Sequence, residues 1–307
     1  MNVDMTGYEA LRRGAARLDL AARGRLRITG RDRARLLHNV ISNEVKKLAS
    51  GAGCYAFLLT PQGRIQADLI LFCRPDDLLI DTEPELRAKV PQLILKYRVA
   101  DQVEIEDISD RTWAIGLEGP GAPAVLEAQG APIPEAPYTH VSWGELTVAR
   151  SSVTGQPGFR IFGPKERQIP AFADSVTLAS EADIRLARIE NGVPRFGEDI
   201  RATMLPQETG QMHAVSFQKG CYIGQEIVER IRAQGHVNRK LARLKIDAET
   251  ASAPGTKLAA EGKEAGEITS AAFSPETGGV AALAYVRMAY AAPGVMLDAG
   301  GAAARVV

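Results

Sequence analysis

With 307 residues, 45% of them apolar and 24% charged, the chain has the makeup of a globular protein of two or three domains, and not of a disordered or fibrous one. Its 37 basic and 37 acidic residues cancel, which removes any global electrostatic drive toward nucleic acid or an anionic membrane. No apolar run reaches bilayer-spanning length, and residues 1–25, interrupted by Asp4, Glu9 and Asp19, read as neither signal nor transit peptide. Three cysteines without C-x-x-C or zinc spacing point to reduced thiols and a cytoplasmic protein.

In chain order, residues 24–29 alternate as a short strand, and Leu36, Leu37, Val40 and Ile41 form the apolar stripe of a helix. Residues 54–59 and 65–72 are apolar runs joined by Thr60-Pro61-Gln62-Gly63, whose Pro and Gly are turn chemistry, so they form a hairpin. A strand follows over 78–82, an amphipathic helix over 83–98, and strands over 103–108 and 112–117. Residues 119–137 are rich in Pro, Gly and Ala, with one short helix over 123–129. Strands are expected over 146–150 and 158–162, and a helix within 164–176. Ser180 with Asp183 three residues on is a capping box that opens a helix ending near Gly192. Another helix begins near Ile223. From Lys240 onward, short strands (241–246, 256–258, 267–273, 279–285, 295–297 and 303–307) alternate with Gly- and Pro-bearing turns, which predicts a small all-β barrel.

Lys219-Gly220-Cys221-Tyr222-Ile223-Gly224-Gln225-Glu226 places a thiol just ahead of a helix start and next to a lysine in sequence, a setting that lowers a thiol pKa. On these residues alone, a small side chain in a tight turn explains Cys221 slightly better. Asp68 lies inside an apolar strand, where a carboxylate needs a partner or shifts its pKa; an exposed edge strand is the alternative. Glu190 and Asn191 close a helix and could hydrogen-bond a flat heterocycle, or merely be solvated there. His213 has no spacing that ties it to Cys221, and a metal cage from Cys54, Cys73 and Cys221 needs three distant segments to converge. Arg230, Arg232, His236, Arg239, Lys240 and Arg243 read as a solvated surface before a phosphate or RNA site. No phosphate-loop or dinucleotide fingerprint is present.

Together these stretches resemble the folate-binding aminomethyltransferase superfamily and, within it, the YgfZ-like branch of iron–sulfur cluster assembly and repair factors. K-G-C-Y-x-G-Q-E at 219–226, followed by Arg230, carries the resemblance most specifically. L-T-P-Q-G-R-I-x-x-D at 59–68, R-I-E-x-G-x-P at 188–194 and L-P-Q-E at 205–208 extend it over roughly residues 24–285. The resemblance implies an α+β, three-part fold: two intertwined ferredoxin-like parts around a central channel over residues 1–237, and a C-terminal β-barrel over 238–307. It implies tetrahydrofolate or a derivative in the channel, with Asp68 facing the reactive nitrogen, Tyr55 lining the channel and Glu190 holding the pterin. Two departures stand out: Ala67-Asp68 replaces the paired aspartates of the transferases, and Phe72 replaces a further channel tyrosine.

The function this implies is a folate-binding accessory factor for assembly, maturation or repair of iron–sulfur clusters in client enzymes, tRNA-modifying radical enzymes among them. Cys221 is then the reactive thiol, Lys219 its activator, and Gln225, Glu226 and Arg230 the residues that hold the loop. A cluster is transient cargo with no metal ligand assigned. The partners are client enzymes or cluster carriers, with neither a membrane nor direct nucleic-acid binding. The alternative is a tetrahydrofolate-dependent aminomethyl- or methyltransferase, for which no thiol is needed, so enzymatic status stays open at this stage.

Overall fold

The computed structural model describes residues 6–172, 176–235 and 237–307. The body begins with α1 (Thr6–Arg13), β1 (Ala16–Asp19), β2 (Gly24–Thr29), α2 (Arg33–Val40), β3 (Gly53–Leu59), β4 (Ile65–Cys73) and β5 (Leu78–Thr82). It continues through α3 (Lys89–Leu95), β6 (Glu104–Asp107), β7 (Thr112–Glu118), α4 (Ala122–Ala128), β8 (His140–Trp143) and β9 (Leu146–Arg150). It ends with β10 (Gly158–Pro164), β11 (Thr177–Leu178), α5 (Glu181–Glu190) and α6 (Gln225–Gln234). Six further strands follow: β12 (Arg239–Ile246), β13 (Lys257–Ala260), β14 (Lys263–Ser274), β15 (Gly279–Arg287), β16 (Met296–Asp298) and β17 (Ala303–Val306).

These strands build a five-stranded sheet β3-β4-β5-β2-β6, a six-stranded sheet β11-β1-β7-β10-β9-β8, and a closed barrel β12-β15-β14-β13-β16-β17. The α+β body and terminal barrel are those the sequence implied. Because β1 and β2 are consecutive yet belong to different sheets, the two halves of the body are interleaved.

Period-2 alternation along β4 decides the layers. Ile65, Ala67, Leu69 and Leu71 point into a core shared with Leu36, Leu37 and Val40 of α2 and Val90 and Ile94 of α3. Ile70 and Phe72 point the other way, into a core with Leu18, Phe162 and Ala187 between the two sheets. Asp68 shares that second face by the same alternation. In the barrel, Ala260, Ala265, Ala271, Ala282, Ala284 and Ala304 fill much of the interior beside Leu244, Ile246 and Val286. Small side chains let only six strands close without steric conflict.

The barrel is fastened to the body through buried polar contacts. Asp199, fully buried, accepts from Thr269 Oγ1 at 2.6 Å, Ser270 Oγ at 2.7 Å and Arg188 Nη1 at 2.6 Å. Arg185 Nη1 donates to the Ala271 carbonyl at 2.6 Å.

Three expectations need correction. The helix over 83–98 is a 3-10 turn at Pro84–Leu86 followed by α3. Proline fits only the first turn of an α-helix, so Pro91 sets where α3 can begin. Within 164–176 the described residues form turns, not a helix, and Pro170 interrupts the run; residues 173–175 lie outside the described residues, as does His236 of the basic run. The helix expected from Ile223 starts at Gln225, because Gly224 adopts a left-handed φ of 83° at its N-cap. Of the elements that composition did not signal, α1 and β1 matter most, since they close one side of the space between the sheets.

Candidate functional site

Between the two sheets, under the end of α5, lies a cavity of about 700 Å³. Asp68 and Tyr55 line its five-stranded wall, and Arg150, Ser151 and Arg160 line the opposite one. Tyr55 on β3 pairs with Ile70, one step diagonal from Asp68, and its hydroxyl donates to Asp68 Oδ2 at 2.7 Å. Asp68 is 8% exposed. Burial, and then the nearby Glu83 carboxylate, push its pKa up to about 6. Burial and Asp68 raise the Tyr55 phenol well above its ordinary value, so it stays a neutral donor.

A buried charge network supports this wall. Asp81 accepts from Arg23 Nε at 2.7 Å and from Arg160 across the gap between the sheets. Burial alone would raise its pKa, but Arg160 and Arg23 overcome that and hold the carboxyl below the ordinary value. Asp81 Oδ2, Arg160 Nε and Ser151 Oγ, on residues that line the cavity, are themselves fully buried and without a hydrogen-bond partner among the described residues. At the same cavity, Tyr138 holds a left-handed φ of 63°, and its hydroxyl lies 3.0 Å from His213 Nε2. Tyr55, Tyr138 and His213 stack with ring centroids 5.4–6.5 Å apart. Burial lowers the pKa of His213, which favours a neutral ring in this stack. A flat ring could extend it.

The remaining sequence-derived residues lie elsewhere. Glu190, the last residue of α5, accepts from Tyr8 of α1 at 2.8 and 2.9 Å and faces Arg12 at 3.6 Å; it is not among the cavity-lining residues. Asn191 Nδ2 donates to the Thr154 carbonyl at 2.8 Å. Lys219 is buried, and Nζ donates to the carbonyls of His38, Ile41 and Asn43 at 2.5, 2.8 and 2.7 Å. That ammonium serves the end of α2, whereas Cys221 is exposed and outside the cavity lining. Gln225 Oε1 accepts from the Tyr222 amide at 3.3 Å, and Glu226 and Arg230 are exposed. Cavity and cysteine loop are therefore separate places. No group of three or more His, Cys, Asp or Glu among the described residues is arranged to hold a metal ion.

Sequence reasoning did not single out Arg160, Asp81, Ser151 or Tyr138. A signal existed for two of them. Arg160 sits in the apolar run Phe159–Phe162 and Asp81 in Leu78–Thr82, the same charged-residue-in-a-strand pattern that exposed Asp68.

The arrangement of an interleaved two-sheet body, a cavity between the sheets lined by charges of both signs and a terminal barrel places the chain within a recognised class. The family described as GCVT N-terminal domain matches residues 4–219, and the glycine cleavage T-protein C-terminal barrel domain matches residues 239–306. The chain belongs to the GcvT family. Among its relatives, an aminomethyltransferase of Rubrobacter xylanophilus is 29% identical over 91% of this chain and 78% of its own length. A chloroplastic protein of Arabidopsis thaliana, provisionally named a transferase, is 27% identical over 97% of this chain and 71% of its own. The crystal structure of glycine cleavage system aminomethyltransferase T from Bartonella henselae superposes with a TM-score of 0.87, covering 98% of this chain and 87% of that one at 22% identity. That likeness shows the fold.

Proposed function

We propose that the cavity binds a tetrahydrofolate-type ligand and that the chain is a folate-dependent one-carbon transferase, moving an aminomethyl or methyl group. The observation that carries this reading is Asp68: a carboxylate 8% exposed, tied to Tyr55 and pointing into a cavity of about 700 Å³. That volume suits a fused heterocycle with a tail. The stack of Tyr55, Tyr138 and His213 offers it a flat surface. The folate supplies a nucleophilic nitrogen that carries the one-carbon unit. Asp68 would orient that nitrogen and balance positive charge on it, and Tyr55 fixes the carboxylate's direction. The aminomethyltransferase names of the relatives support the transfer chemistry.

A second reading is kept for one reason: the exposed thiol of Cys221 lies in a loop away from the cavity, and group transfer to folate has no use for it. In that reading the protein is a YgfZ-like, folate-binding factor that supports iron–sulfur clusters of client enzymes, with Cys221 as its reactive group. One experiment separates the two. Folinic acid binding is measured by calorimetry, and tetrahydrofolate-dependent release of a one-carbon unit is assayed, on wild type, Asp68→Asn and Cys221→Ala. The transferase reading expects Asp68→Asn to weaken binding about ten- to a hundredfold, the worth of one charged hydrogen bond, and Cys221→Ala to turn over normally. No folate binding by the wild type rejects both readings. Binding without turnover, with loss of client iron–sulfur activity only in Cys221→Ala, selects the second.

A further inference from the structure

A chain of alternating charges leads from the buried end of the cavity to its rim. Asp81 takes Arg160 and Arg23, and Arg23 pairs with Glu83. Glu83 Oε2 lies 3.1 Å from Arg195 Nε, and Arg195 Nη2 donates to Glu85 Oε2 at 2.9 Å. Side-chain exposure climbs along this chain, from 0% at Asp81 through 10% at Arg23 and 14% at Glu83 to 36% at Arg195 and 39% at Glu85. Arg195 is among the cavity-lining residues and Glu85 is not, so the Arg195 guanidinium stands at the rim. Its backbone is fixed there. The Arg195 amide donates to Asp199 Oδ2 at 3.1 Å, and its carbonyl accepts from the amides of Asp199 and Ile200 at 2.8 and 3.0 Å.

We propose that Arg195 receives a carboxylate from the tail of the cavity's ligand, and that Glu85 is the group this carboxylate displaces. The proposal rests on the reading of the cavity as a folate site and narrows its ligands to folates with an ionised glutamyl tail. A guanidinium carries five N–H donors in a planar fork. Arg195 gives one to the Phe196 carbonyl at 2.9 Å and one to Glu85, and turns Nε toward Glu83. Each terminal nitrogen therefore keeps a second N–H for an incoming carboxylate. The pair with Glu85 joins two half-exposed side chains, so it is weak in water and open to exchange. Glu83 stays in place, because its other oxygen is held by Arg23. Exchange also preserves the balance of charge: Arg160, Arg23 and Arg195 face Asp81, Glu83 and either Glu85 or the ligand's carboxylate. The other cavity arginines do not offer this. Arg23, Arg160 and Arg188 are buried, and Arg150 donates to the Pro134 carbonyl. Arg185 is held by the Ala271 carbonyl and by Glu198, a carboxylate that Arg188 also binds.

The test is calorimetric binding of folinic acid and of its diamide, in which both glutamyl carboxylates are carboxamides, to wild type, Arg195→Gln and Glu85→Gln. Wild type is expected to bind folinic acid about tenfold more tightly than the diamide, the effect of one charged hydrogen-bonded pair at a partly exposed site. Arg195→Gln should abolish that preference by weakening folinic acid alone. Glu85→Gln, which removes the competing carboxylate, should widen it about threefold. Added salt should shrink the wild-type preference. Equal affinity of wild type for the two ligands, or a loss of both ligands alike in Arg195→Gln, overturns the proposal and leaves the cavity reading standing. If neither ligand binds wild type, the cavity reading and the proposal fall together. Should Arg195→Gln not fold, Glu85→Gln decides, and an unchanged preference there overturns the proposal.

Discussion

Asp68 is the residue on which the cavity reading turns, and its environment has a measurable thermodynamic consequence. Its folded pKa of about 6 stands above the ordinary 3.8, with burial the largest cause. Between those values the folded state holds a proton that the unfolded chain has released, so stability falls as pH rises from about 4 to 6 and stays lower above it. Asp68→Asn removes that cost and retains an acceptor for Tyr55. Denaturant unfolding should therefore find the variant more stable than wild type at pH 7, by on the order of 2 kcal/mol, and matched with it near pH 4. Equal stability at pH 7 would mean that the carboxylate is not held against its ionisation. A gain in stability joined to a loss of folate affinity is the signature of a side chain kept for binding rather than for folding.

At the scale of elements, the end of α2 is finished by a side chain distant in sequence. Three carbonyls at or beyond its last turn are satisfied by Lys219 Nζ, whose ammonium also lies 5.0 Å from the Tyr222 ring centroid. Burial lowers the Lys219 pKa to about 8. Below that value the charge is present, and its hydrogen bonds offset the desolvation. Lys219→Met should cost about 2 kcal/mol at pH 7, because the carbonyls lose their donor inside the protein. It should also speed hydrogen exchange at the Ile223 amide, whose bond to Asn39 closes the other end of the loop. Unchanged exchange at Ile223 would show that the loop is held by other contacts. The sequence suggested that Lys219 acts on the neighbouring thiol; the lysine stem instead carries the charge inward, to carbonyls at the end of α2.

At the scale of the whole molecule, the barrel is joined to the body by a charge, not only by apolar contact. Asp199, with no exposure, gathers Arg188 from α5 and Thr269 and Ser270 from β14. Asp199→Ala strips the Arg188 guanidinium of one buried carboxylate and leaves two barrel hydroxyls without their shared acceptor. It should cost about 3–5 kcal/mol and lower the melting temperature of barrel and body together in calorimetry. A body transition that stays in place while only the barrel melts earlier would show that the two units are thermodynamically independent. α5 also borders the cavity through Ile184, Arg185 and Arg188, so one helix serves both the barrel junction and the cavity wall.

Local pattern was enough to reveal the hairpin of β3 and β4, the capping box of α5, the run of short barrel strands and Asp68 as a misplaced charge. Each is written in neighbouring residues: turn chemistry, a Ser and Asp three apart, alternation, one polar side chain in an apolar run. Pro91 shows the limit even there, since one ring shortened a helix whose apolar stripe was otherwise continuous. What the sequence could not disclose is who meets whom across the chain. Arg160 reaches Asp81 only because two separate sheets face each other, and Glu190 is taken by Tyr8 because α1 packs on α5. Those pairings depend on long-range packing and on which face each strand buries, so tertiary structure alone decided that the charged cavity and the cysteine loop lie in two separate places.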